Sequence, residues 1–178
     1  MPNWCMNNLT IEHDDIEKVN EFAEAYKRGD TCEHYLPTPK DENGELISDD
    51  SPNDWYNHRV SNWGTKWDFG GEDQFIIVKQ DENKVICSYD TAWSPPLGLY
   101  KRLVELGFKV EASYFEPGIG FAGQWINGDD QFYGGDVDYT HWPLDLIEEY
   151  NMHEWYEDDD DEDDSPIKLV SVPKHPES

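Results

Sequence analysis

Basic residues are what this sequence has least of. Only 13 of its 178 residues are Lys or Arg, against 40 Asp and Glu, for a formal net charge of −27 at pH 7. That deficit argues against direct binding to nucleic acid, whose affinity comes from Lys and Arg displacing counterions from phosphates. It argues equally against an anionic membrane surface. A protein partner with a basic surface suits the charge better. The excess is not confined to one tail. Residues 142–178 hold thirteen acids and two bases, and the first 141 residues still hold 27 acids and eleven bases.

Cysteine is also scarce. Cys5, Cys32 and Cys87 form no CxxC pair, and an odd number leaves one unpaired whatever the connectivity. Cys5 and Cys87 fall in apolar strand patterns, where a free thiol behaves as a small buried hydrophobe, which points to a reducing cytoplasm. No apolar run reaches membrane-spanning length, and Met1-Pro2-Asn3-Trp4 has neither the basic nor the apolar region of a secretory signal. Aliphatic residues are few, but eight Trp, ten Tyr and seven Phe can build a core in a chain long enough for one domain.

The stretch from Val85 to Pro96 organises the rest. Val85, Cys87 and Tyr89 share one face of a strand that ends abruptly at Trp93, with Ser94 suited to cap a helix and Pro95 to begin it. Earlier, Trp4–Ile11 reads as a strand in which Asn7 is an awkward polar member of the buried face. A helix starting at Asp14 or Asp15 carries Ile16, Val19, Phe22, Ala23 and Tyr26 at helical spacing, and Gly29 stops it. Residues 30–62 hold three prolines and no sustained period, as a long insertion would, although Trp55–Val60 has the look of a short helix.

Gln74–Gln80 and Lys84–Thr91 predict a hairpin around Asp81-Glu82-Asn83. Leu99, Leu103 and Leu106 predict a second helix, and Phe108, Val110, Ala112 and Tyr114 a half-buried strand. Two more strands follow over Phe121–Ile126 and Gln131–Tyr139, then a helix from Pro143 to about Trp155. Ile167–Val172 could add a late strand. The expected fold is therefore α+β, a ferredoxin-like split βαβ (βαββαβ) antiparallel sheet. It carries a long insertion after the first helix, an extra C-terminal β-hairpin and an acidic C-terminal helix. Residues 1–140 form the ferredoxin-like domain with its 30–62 insertion, and 141–178 the C-terminal helix and acidic tail. Trp4–Ile11 should pair antiparallel with Val85–Thr91 at the centre of the sheet.

Four motifs extend this reading: Met1-Pro2-Asn3-Trp4-Cys5, Asn62-Trp63-Gly64-Thr65-Lys66-Trp67-Asp68, Thr91-Ala92-Trp93-Ser94-Pro95-Pro96, and Tyr114-Phe115-Glu116 with Phe121-Ala122-Gly123. Together they resemble the YubB ferredoxin-like family, carried by phages, plasmids and their bacterial hosts. The resemblance spans roughly residues 1–140. It implies the fold, a mobile-element origin and a bacterial cytoplasm, and it brings no catalytic residues to carry over.

Gly118-Ile119-Gly120-Phe121-Ala122-Gly123 matches GxGxxG in letters, but Gln124-Trp125-Ile126-Asn127-Gly128 then reads as strand and turn. A dinucleotide site needs a helix there, so a bent hairpin is expected. Asp68-Phe69-Gly70 has no other kinase part beside it. The six histidines are scattered, and neither a metal site nor a cofactor is expected.

Two candidate sites remain. Trp63, Thr65, Lys66, Trp67 and Trp93 could form a small pocket or a partner's anchor. Alternatively the tryptophans plug the sheet edge and corner while Lys66 pairs with Asp68 or Asp90. The second candidate is the run Glu157, Asp158, Asp159, Asp160, Asp161, Glu162, Asp163 and Asp164. It reads either as a solvated tail or as a charge mimic. Extended chain spaces carboxylates by about 3.3 Å, close to the roughly 3.4 Å charge spacing along a DNA strand.

The expected function is a non-enzymatic accessory protein of a phage or plasmid that binds a host or element protein, with anti-defence DNA mimicry as one route. The alternative is a small-molecule-binding protein or small enzyme with a pocket near Trp63–Trp67 and Trp93. In that case Asp68, Asp90 and His58 would have to converge.

Overall fold

Strand β1 (Trp4–Glu12) buries every second residue, Cys5, Asn7, Leu9 and Ile11, as a two-residue period with one covered face requires. The computed structural model describes residues 2–156. After β1 come helices α1 (Ile16–Arg28), α2 (Thr31–Tyr35) and α3 (Trp55–Asn62), then β2 (Phe75–Lys79), β3 (Lys84–Ala92) and α4 (Leu97–Glu105). The remaining elements are β4 (Lys109–Glu116), β5 (Phe121–Ile126), β6 (Asp129–Tyr133), α5 (Leu144–Glu149) and α6 (Met152–Tyr156).

The six strands form one sheet in the order β2-β3-β1-β4-β5-β6. Every neighbouring pair is antiparallel. β1 and β3 lie side by side at the centre, with Cys5 opposite Thr91 and Leu9 opposite Cys87. This is the pairing expected of the first and third strands.

One face of the sheet carries the main core. Leu9, Ile11, Val85, Cys87, Tyr89, Val110 and Trp125 pack there against Val19, Phe22 and Tyr26 of α1 and Leu99, Tyr100 and Leu103 of α4. Phe115 and Ala122 belong to the other face, where Trp142, Leu146, Ile147, Tyr150 and Met152 cover one end. The awkward Asn7 is half satisfied inside the sheet, its Nδ2 donating to the Cys5 carbonyl at 2.8 Å and to Thr91 Oγ1 at 2.9 Å while its buried Oδ1 has no hydrogen-bond partner among the described residues. Helix α1 ends as its sequence predicts. The Asp15 side chain accepts from Glu17 N at 3.0 Å, and Gly29 closes the helix at φ +80°.

Three boundaries differ from the sequence reading. Helix α4 starts at Leu97, because the Ser94 hydroxyl donates to the Gly64 carbonyl and does not cap it. The strand expected over Gln131–Tyr139 stops at Tyr133, and Tyr139–His141 forms a 3₁₀ turn. The helix expected from Pro143 to Trp155 is two short helices broken at Asn151, whose φ is +49°. The 30–62 insertion contains α3, where a short helix was expected from Trp55, and also α2, which was not expected. The runs 157–164 and 167–172 lie outside the described residues. Among the described residues, no helix is long and apolar enough to cross a membrane.

Candidate functional site

The two tryptophan motifs meet where α3 abuts α4, and backbone bonds fix the junction. Gly98 N donates to the Trp63 carbonyl at 3.0 Å, and the Ser94 hydroxyl donates to the Gly64 carbonyl. Thr65 Oγ1 donates to the Ala92 carbonyl at 3.0 Å, and Thr91 Oγ1 to the Ser94 carbonyl at 2.7 Å. Trp93 N donates to the Asn3 carbonyl at 2.8 Å, which brings the N-terminal motif into the same knot. Two glycines allow this approach. Gly64 sits at φ +89° with room for a Cβ only 3.0 Å from the Pro95 carbonyl oxygen, and a Cβ on Gly98 would collide with the Asn62 carbonyl.

The junction divides the predicted site residues into two sets. Trp63 and Thr65 are buried framework. Trp63 is 0 % exposed, donates from Nε1 to the Leu36 carbonyl at 2.7 Å, and has the Arg59 guanidinium 4.7 Å above its ring. Trp67 and Trp93 remain at the surface, 42 % and 38 % exposed. The Trp93 backbone has φ +68°, a region that costs a bulky residue about 1–2 kcal/mol.

Lys66 pairs with neither Asp68 nor Asp90, and among the described residues it makes no ion pair. Its ammonium lies over four rings instead, 4.8 Å from the centroid of Trp67, 5.4 Å from Trp93, 5.7 Å from Tyr56 and 6.0 Å from Trp55. Trp55 and Trp67 stack at 5.6 Å and 26°, and Tyr56 meets Trp55 edge-on at 5.9 Å. Asp54 positions both α3 rings by capping that helix, accepting from Tyr56 N at 3.0 Å and Asn57 N at 3.3 Å.

No protein-family model, curated protein or solved structure matches the chain.

Trp55 and Tyr56 were absent from the sequence-predicted set. Their signal lay in Asp54-Trp55-Tyr56, an N-cap residue followed by two aromatics, but nothing in one sequence told that α3 would fold back beside Trp67. Asp68 is a framework group. Its carboxylate accepts from Cys32 N and Glu33 N at 2.8 Å each and from Phe69 N at 2.9 Å. Burial raises its proton affinity, and those three donors partly offset the rise. Asp90 is raised by burial as well, and both carboxyls line a cavity with Trp4, Phe69, Gly70 and Gln74. His58 does not line that cavity, and its Nδ1 lies 3.1 Å from Asn62 Nδ2.

The glycine run is the bent hairpin its sequence predicts. The buried Glu116 carboxylate accepts from Gly118 N at 2.6 Å and Ile119 N at 2.8 Å, and the chain then enters β5. Phe69, between Asp68 and Gly70, stacks on Tyr89 at 3.7 Å and 9° in the core. Among the described residues, no group of three His, Cys, Asp or Glu side chains could hold a metal ion.

Proposed function

We propose that this chain is a non-enzymatic accessory protein of a mobile genetic element, acting by binding a basic protein through the Tyr56, Lys66, Trp67 and Trp93 surface. The observation that carries this reading is the exposure of large aromatics on a backbone that buried hydrogen bonds hold rigid. Trp and Tyr dominate binding hot spots because they offer broad contact at small entropic cost. A loop plugging a corner would have no need to leave Trp67 and Trp93 in water, or to hold Trp93 at φ +68°.

The charge of −27 would steer a basic partner toward this surface, and the acidic run 157–164 would add to that attraction. The ferredoxin-like reading is supported by the sheet order, with β1 and β3 central, β2 and β4 flanking them, and β5-β6 extending one side. The mobile-element origin rests on the motif resemblance. An enzymatic role for Asp68 has less support, since both its oxygens already accept backbone hydrogen bonds.

The test is capture from bacterial lysate at low and high salt, with wild-type protein and Trp67→Ala/Trp93→Ala side by side. A basic protein retained by wild type, released by salt and absent from the double variant supports the reading. Equal retention by both proteins contradicts it.

A further inference from the structure

We infer that Trp55, Tyr56, Trp67 and Trp93 form a site for a quaternary or N-methylated ammonium group, which Lys66 occupies from within the chain until a partner's cation displaces it. The inference rests on reading this surface as the partner-binding face and names the group it recognises. Four rings from three separate chain segments converge on one point in space, and that point is filled by a cation. Aromatic faces carry negative potential, and a cation within about 6 Å of several of them is held by their summed quadrupoles.

Lys66 is an unusual occupant. In a chain with 40 carboxylates, its ammonium makes no ion pair among the described residues and lies against hydrocarbon instead. A primary ammonium is strongly hydrated and gives up water acceptors for its N–H groups to sit there. A methylated ammonium keeps the charge, has fewer or no N–H groups to desolvate, and presents methyl groups to the rings. Such a group therefore outcompetes Lys66 where an ordinary lysine would not. The rings are also prepared in advance. Bonds from Thr65 and Ser94 fix the loops that carry them, so little ordering remains to oppose binding. The surrounding negative charge concentrates cations near the cage.

Removing the tethered occupant should expose the site. Tryptophan fluorescence is followed while tetramethylammonium chloride is added to wild type, Lys66→Ala and Lys66→Gln, with sodium chloride at matched ionic strength as the blank. Circular dichroism confirms that each variant is folded. Both variants should show saturable quenching, and wild type should respond at least about tenfold more weakly, a difference of roughly 1.4 kcal/mol. Adding Trp67→Ala to Lys66→Ala should abolish the response. In a second arm, a basic peptide carrying trimethyllysine should bind Lys66→Ala more tightly than free tetramethylammonium if the cation comes from a protein, and no more tightly if it comes from a small molecule.

Folded Lys66 variants that give no saturable response overturn the inference, as does a wild type that binds equally well. If Trp67→Ala still loses a captured partner in that case, the surface reading stands and only the cage assignment falls.

Discussion

The Thr65 hydroxyl donates to the Ala92 carbonyl at 3.0 Å, joining a loop after α3 to the end of the central strand β3. Both groups are buried, so neither can turn to water in compensation. This bond sits between Lys66 on one side and Trp93 on the other. Thr65→Val should keep the side-chain shape and remove this bond, leaving the Ala92 carbonyl with the Ser94 amide at 2.9 Å as an acceptor contact, and should cost about 0.5–1.5 kcal/mol in urea unfolding.

Gly98 supplies the closest backbone approach at the same junction. Its amide reaches the Trp63 carbonyl at 3.0 Å, and any Cβ there meets the Asn62 carbonyl. Gly98→Ala should therefore destabilise the fold by about 1–3 kcal/mol, despite alanine's better helix propensity. A melting temperature equal to that of wild type would show that α3 and α4 can separate without cost.

The tryptophans of one motif should behave oppositely. Trp63 is fully buried, so Trp63→Ala should cost about 3–5 kcal/mol. Trp67 is 42 % exposed, so Trp67→Ala should stay within roughly 1 kcal/mol of wild type while losing partner binding. Denaturant unfolding of the pair measures the contrast directly.

Alkaline pH should unfold the protein through its core. Cys87 and the hydrogen-bonded pair Tyr89 and Tyr100 are buried, and desolvation raises all three above their ordinary values of 9.0 and 10.0. Above pH 9 the unfolded chain releases these protons while the folded chain retains them. Stability is then intact below pH 9 and falls as pH rises, by up to about 1.4 kcal/mol per pH unit for each group that titrates only on unfolding. For the same reason, iodoacetamide at pH 8 should label Cys5, Cys32 and Cys87 slowly in native protein and quickly in denaturant.

Much of the sheet was legible because its strands alternate cleanly. Leu9, Ile11, Val85, Cys87 and Val110 announced both their elements and their common face, and Gly29 announced the end of α1. Helix α2 was not legible, since its five residues hold no full period and the Cys32 and Glu33 amides of its first turn are satisfied by Asp68, more than thirty residues away. The start of α4 was misplaced for a similar reason. Ser94 is a good local cap, but Gly64 offers its hydroxyl a tertiary acceptor. The site followed the same rule. Lys66, Trp67 and Trp93 were visible as motif residues, whereas Trp55 and Tyr56 joined them only through the packing of α3 on α4.

The most direct test of the account is the affinity of a purified captured partner for wild type and for Trp67→Ala/Trp93→Ala, measured by calorimetry with unfolding curves run in parallel. The account predicts a loss of at least about 30-fold in the double variant, with stability nearly unchanged. Undiminished affinity in a folded double variant would contradict it.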